Sequence, residues 1–184
     1  MITLRPYQTD IVDSLRLTLG KHRRSVLCAP TGAGKTIMFT YMISEHLKRG
    51  GNVLVLTHRT ELLKQSGSSF QKFGLSPEYI TAGSKPDLTA KLHVCMVETL
   101  ERRKEAYSEF IKSKSLVVID EAHLNIFTKI LPSISKKAFV IGATATPLRK
   151  GKNVPSLDEF YGAIVQKIDT PELIEQGFLS RAET

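Results

Sequence analysis

Residues 25–36 read Ser25-Val26-Leu27-Cys28-Ala29-Pro30-Thr31-Gly32-Ala33-Gly34-Lys35-Thr36: a short aliphatic run, a glycine-rich turn and the opening of an amphipathic stretch. Such a strand–turn–helix passage suits a phosphate group. Its oxygens need closely spaced backbone N–H groups, and glycine lets the chain curl near them without a Cβ in the way. The helix start adds the positive end of its dipole at the same place. This reading gives Thr31, Gly32, Ala33 and Gly34 to the cradle, Lys35 to the β- and γ-phosphates of a nucleotide, and the Thr36 hydroxyl to Mg²⁺. The strict pattern G-x-x-x-x-G-K-[ST] expects glycine where this chain has Ala29. A glycine-rich turn of purely structural use is the competing reading.

Outward from this loop, short aliphatic runs alternate with longer amphipathic stretches, as in an α/β fold with a mostly parallel sheet. Strands are expected at 25–28, 53–56, 92–97, 116–119 and 138–141, each apolar at successive positions and so suited to burial on both faces. Helices are expected at 7–19, 35–49, 60–73, 98–105, 107–111, around 124–131, and at 171–176 closed by Gly177. Residues 150–156, with Gly151, Asn153 and Pro155, read as an exposed loop. The expectation is one three-layer α/β domain over residues 1–184, with strand order open.

A phosphate loop needs an acidic partner. Leu116-Val117-Val118-Ile119 is an aliphatic run that ends in Asp120-Glu121-Ala122-His123. A carboxylate at Asp120 suits Mg²⁺, generally through water, and Glu121 is placed to orient and deprotonate an attacking water.

Composition narrows the class. The chain has 184 residues, 41% of them apolar, enough for a sizeable core. Lys and Arg number 26 against 18 Asp and Glu, a net charge of +8 that favours a polyanionic partner. No apolar run is long enough to span a membrane, and the start lacks the charge-then-apolar order of a signal peptide. Only Cys28 and Cys95 are present, each inside an apolar run, so no disulfide framework is expected and a reducing cytoplasm is the simplest home. His22, His46 and His93 have no metal-ligand spacing; the first two read as surface, the third as sheet edge or core.

Taken together, 29–36, Asp120-Glu121-Ala122-His123 and Ala143-Thr144-Ala145-Thr146-Pro147 resemble motifs I, II and III of the DEAH-type superfamily 2 helicases and translocases. Leu4-Arg5-Pro6-Tyr7-Gln8, Leu56-Thr57-His58-Arg59-Thr60-Glu61-Leu62 and Glu98-Thr99-Leu100 extend the likeness, and the ending 173–179 is most similar to the XPB/RadD-type DNA helicases. The resemblance implies a RecA-like P-loop domain that binds ATP and Mg²⁺. Gln8, helped by Arg5, would recognise adenine. His123, Thr144 and Thr146 would couple nucleotide state to the nucleic-acid site, where Thr57, His58, Arg59 and Thr99 would touch the strand backbone.

The same family works with two RecA-like domains, the second supplying arginine fingers. The residues after Pro147 are too few for another sheet, so this chain reads as the first motor domain, with little or no turnover alone. DNA is the expected partner, with an RNA helicase domain or a non-hydrolysing nucleotide-binding module as alternatives. A small-molecule kinase is disfavoured, since Gln8 and 144–147 have no role there.

Overall fold

Short strands with apolar residues at successive positions have two faces to cover, and one sheet covers them. The computed structural model describes residues 3–58, 70–145, 157–165, 169–175 and 177–178. Strands β1 (Arg24–Cys28), β2 (Val53–Thr57), β3 (Glu78–Ile80), β4 (Leu92–Met96), β5 (Leu116–Ile119), β6 (Phe139–Thr144) and β7 (Ala163–Val165) form a seven-stranded sheet. Their order is β3-β4-β2-β5-β6-β1-β7, and every pairing is parallel.

Alternation along each strand divides the core in two. Leu27, Val53, Val55, Leu116, Val118 and Ile141 join one cluster. Val26, Leu54, Leu56, Val117, Ile119 and Val140 join the other. The first face is covered by helices α1 (Pro6–His22) and α2 (Lys35–Lys48), through Ile11, Leu15, Met38 and Ile43. The second is covered by short helices α3 (Val97–Arg102) and α4 (Ser108–Lys112) with the 3-10 turns Asn125–Lys129 and Leu131–Ser133. Leu100, Phe110, Phe127 and Leu131 plug that layer. Each such buried side chain contributes roughly 1.5–3 kcal/mol relative to exposure. Helices α5 (Leu157–Phe160) and α6 (Thr170–Glu175) complete the described elements.

All five expected strands are present, and β6 runs on to Thr144. Two were not foreseen. β3 and β7 have three residues each, lie at the two edges of the sheet and are only partly buried; β3 opens on Glu78, and the apolar run Ala163-Ile164-Val165 of β7 is too short to mark a strand. The helix expected around 124–131 is instead the pair of 3-10 turns. Thr128 bonds its hydroxyl to the Asn125 carbonyl at 2.7 Å and Pro132 follows, both poor company for an α-helix. α3 stops at Arg102, short of Glu105, because Arg103 and Lys104 turn back onto Leu100 and Glu101. His46 is half-buried, not at the surface, with Nε2 2.8 Å from Ser115 Oγ. His93 is a core residue, fully buried. Most of the 60–73 stretch and the whole of 150–156 lie outside the described residues. Among those described, no helix is long and apolar enough to cross a membrane.

Candidate functional site

The site is assembled where three neighbouring strands end. β6 lies between β5 and β1, with Ile119 opposite Gly142 and Cys28 opposite Thr144. The chain segments leaving β1 and β5 therefore emerge on either side of the end of β6, at the carboxyl edge of a parallel sheet where such folds bind ligands.

Beyond β1, the Ala29 N–H still donates to the Thr144 carbonyl at 3.1 Å before the loop curls away. Gly32 and Gly34 take φ of 86° and 78°, left-handed values that side chains strain to adopt. A Cβ on Gly34 would also collide with the amide of Gln8. Gly34 caps α2 without a side-chain bond, so no side chain competes for the first N–H groups of that helix. Lys35 turns back over the loop, Nζ donating to the carbonyls of Ala29 at 2.7 Å and Pro30 at 3.1 Å. Burial lowers its pKa, opposed by the charges of Glu121 and Asp120. Thr31, Gly32 and Thr36 are exposed, while Ala33 is buried.

Beyond β5, Asp120 keeps one sheet bond, its N–H to the Leu56 carbonyl at 3.0 Å, and Ala122 bonds the Ala143 carbonyl at 2.7 Å. Between them Glu121 takes φ 54°, an outlier for a residue with a side chain. Burial raises the pKa of Asp120, and the neighbouring Glu121 carboxylate raises it further; Lys35 and His58 act against both. Lys35, Asp120 and Glu121 therefore share one electrostatic site. His123 Nδ1 lies 2.9 Å from Thr144 Oγ1 and 3.3 Å from Glu121 Oε2, tying the acidic turn to the end of β6.

Gln8 sits under the loop rather than beside it. It is 5% exposed, its Nε2 donates to the Ala33 carbonyl at 3.2 Å, and its Oε1 accepts the Arg5 N–H at 3.0 Å. Tyr7 donates its hydroxyl to the same carbonyl at 3.1 Å. Phe178 packs on Tyr7, ring centres 4.9 Å apart, and lies 4.8 Å from the Arg5 guanidinium. The sequence reading did not connect Phe178 with Arg5 and Tyr7: no local spacing links the two ends of the chain.

The remaining candidates divide. Thr57 ends β2 and is only 3% exposed, whereas His58 just after it and Thr99 in the first turn of α3 are half-exposed. His58 packs edge-on to Phe127, 6.4 Å between ring centres. Arg59 and Thr146 lie outside the described residues.

Residues 1–149 match the ResIII family, described as the type III restriction enzyme, res subunit. The chain belongs to this family. Among curated relatives, the ATP-dependent RNA helicase DHX58 of Mus musculus is 28% identical over 172 residues, covering 78% of this chain but only 25% of its own length. Among solved structures, the UvsW helicase of bacteriophage T4 superposes with a TM-score of 0.73 at 22% identity, over 89% of this chain and 60% of that one. A nuclease-deletion mutant of the type ISP restriction-modification enzyme LlaGI, solved in complex with a DNA substrate mimic, gives 0.77 at 19% identity, over 98% of this chain and 21% of that one. These likenesses establish the helicase-type RecA-like fold of this ResIII domain.

Proposed function

We propose that this chain is the ATP-binding first motor domain of a nucleic-acid helicase or translocase, working on DNA when joined to a second RecA-like domain. One observation carries the reading: strand order sets the Lys35 loop after β1 and the Asp120–Glu121 pair after β5 on either side of the end of β6, near enough to perturb each other's charge. The family membership supports the same assignment.

The residues fit a magnesium–triphosphate. Lys35 fills its own loop by bonding two carbonyls, and a phosphate would offer it stronger, charged acceptors. The Glu121 and Asp120 carboxylates both act on Lys35 through their charge, and a divalent cation would relieve their mutual repulsion. Thr36 and Asp120 would hold the ion, which when bound draws charge from the phosphate oxygens. Gly32 and Gly34 offer backbone N–H groups, whereas the Ala33 N–H donates to the Pro30 carbonyl at 3.2 Å; Glu121 would orient and deprotonate the attacking water. Gln8 and Arg5 would contact adenine, and Gln8 also braces the loop from below. His123 and Thr144 link Glu121 to the strand end, a route by which hydrolysis would be coupled to a strand-binding surface of His58, Arg59 and Thr99; Thr57, buried at the end of β2, would support it from beneath.

The name of the mouse relative favours RNA as a second reading. Nucleotide binding and steady-state ATPase, with and without DNA or RNA, test both readings. The expectation is Mg²⁺-dependent binding with slight turnover, and tighter binding to DNA than to RNA. Strong DNA-stimulated hydrolysis by this chain alone would overturn the need for a second domain.

A further inference from the structure

Opposite the phosphate loop, the other end of β1 carries a cluster of basic residues. Lys21 and His22 end α1, Arg23 and Arg24 lead into β1, and Lys136 and Lys137 lead into β6. Arg24 pairs with Val140, so both segments meet at the amino edge of the sheet. Between them lies a concave pocket of about 510 Å³, lined by His22, Arg23, Arg24, Pro132, Ile134 and Lys136, with no carboxylate among those residues.

Basic residues at the end of a helix are favoured by its dipole, and solvated lysines need no partner. One feature exceeds that explanation. Arg23, whose φ of 62° makes the left-handed cap that ends α1, has an oriented side chain: Nη1 donates to the Lys137 carbonyl at 3.2 Å, and the guanidinium lies 4.8 Å from the centre of the Phe139 ring. Arg24 Nη2 donates to the Ile134 carbonyl at 3.4 Å. Each bond uses one N–H of a group that carries several, which leaves oriented donors for another acceptor.

We propose that this basal pocket is a second contact for the phosphate backbone of duplex nucleic acid. Fixed guanidinium groups suit phosphate oxygens, and contacts of this kind read no sequence. A row of cations on two segments fits a repeating polyanion better than a single phosphate. β1 separates the pocket from the nucleotide site by roughly 13 Å at the usual strand rise. A strand bound at the carboxyl edge would therefore leave this pocket to a separate, flanking stretch of duplex. The inference rests on nucleic acid being the partner.

Fluorescence anisotropy of a labelled random-sequence DNA duplex, titrated with the chain across a salt series, tests it. Arg23→Gly combined with Lys136→Gln should lower the slope of log affinity against log salt by about 2 and weaken binding about 10-fold or more at low salt. The glycine relieves the backbone at position 23 and gives up the contacts with Lys137 and Phe139, two effects of opposite sign, so the thermal midpoint should move little and nucleotide binding should be unchanged. Lys48→Gln with Lys112→Gln removes the same charge from side chains that are 69% and 56% exposed elsewhere, and should change the slope less. Equal slopes for the two double variants, or no change from the parent chain, would overturn the basal contact and leave the motor-domain reading intact. A parent chain that binds neither duplex nor single strand at low salt would overturn the nucleic-acid reading and the basal contact with it.

Discussion

The Nδ1 of His123 stands 2.9 Å from the Oγ1 of Thr144, joining the turn after β5 to the last residue of β6. Thr144 is fully buried, so this hydroxyl acts on the ring and not on solvent. Thr144→Val keeps the shape and removes the bond. Urea denaturation should show a loss of about 1 kcal/mol, the usual net worth of one hydrogen bond. The ring ¹⁵N resonance of His123 Nδ1 should move, while nucleotide affinity should stay within about 3-fold, a fraction of a kcal/mol.

Lys35→Ala takes away the cation that the loop carbonyls hold. Charge-assisted bonds contribute roughly 1.5–3 kcal/mol each, so Mg-nucleotide affinity should drop by at least ~10-fold, read by a fluorescent nucleotide. Unchanged affinity would remove Lys35 from the phosphate site.

Burial and the neighbouring Glu121 carboxylate raise the pKa of Asp120. Its folded pKa is raised, so the folded state keeps a proton that the unfolded chain has already lost. Stability therefore falls as pH rises from the ordinary carboxylate range through the raised value, and the penalty persists at neutral pH. Asp120→Asn should raise the thermal midpoint at pH 7, flatten that part of the pH profile, and abolish the Mg²⁺ dependence of nucleotide binding. A lower midpoint would mean that the carboxylate supports the fold.

Lys114 is 3% exposed, with Nζ 3.3 Å from His93 Nδ1 and 4.0 Å from the centre of the Phe110 ring. Burial, helped by Lys91, pushes its pKa down to about 8. A lysine lowered on folding loses its proton first in the native state, so stability should rise between pH 8 and the ordinary lysine range near 10.5. Lys114→Met should remove that rise in a urea-midpoint series and leave stability at pH 7 unchanged or about 1 kcal/mol higher.

Gly142 has no room for a side chain: a Cβ there would lie 2.8 Å from that of Ala122 and 3.1 Å from the Tyr161 ring. Gly142→Ala should destabilise the chain by about 1–3 kcal/mol through overpacking. Because Ala122 carries the turn between Glu121 and His123, nucleotide affinity should fall as well. Thermal unfolding and nucleotide titration of the one variant check both effects.

The sequence alone determined the local chemistry. Ser25–Thr36 announces a strand, a loop and a helix because glycine spacing, apolar run and hydroxyl–lysine order are all contained in one stretch of chain. The five central strands were legible for the same reason: burial on both faces demands an unbroken apolar run. The edge strands are three residues long: β3 has a single aliphatic residue, Ile80, and the apolar run of β7 is too short to stand out. Tertiary structure decided the relations between distant segments. Gln8 lies under Gly34 and Phe178 against Arg5 because α1 and the end of the chain converge on one face of the loop. Lys35 and Asp120 come to the same edge of the sheet because strand order places β6 between β1 and β5, and no pattern within a strand encodes that order.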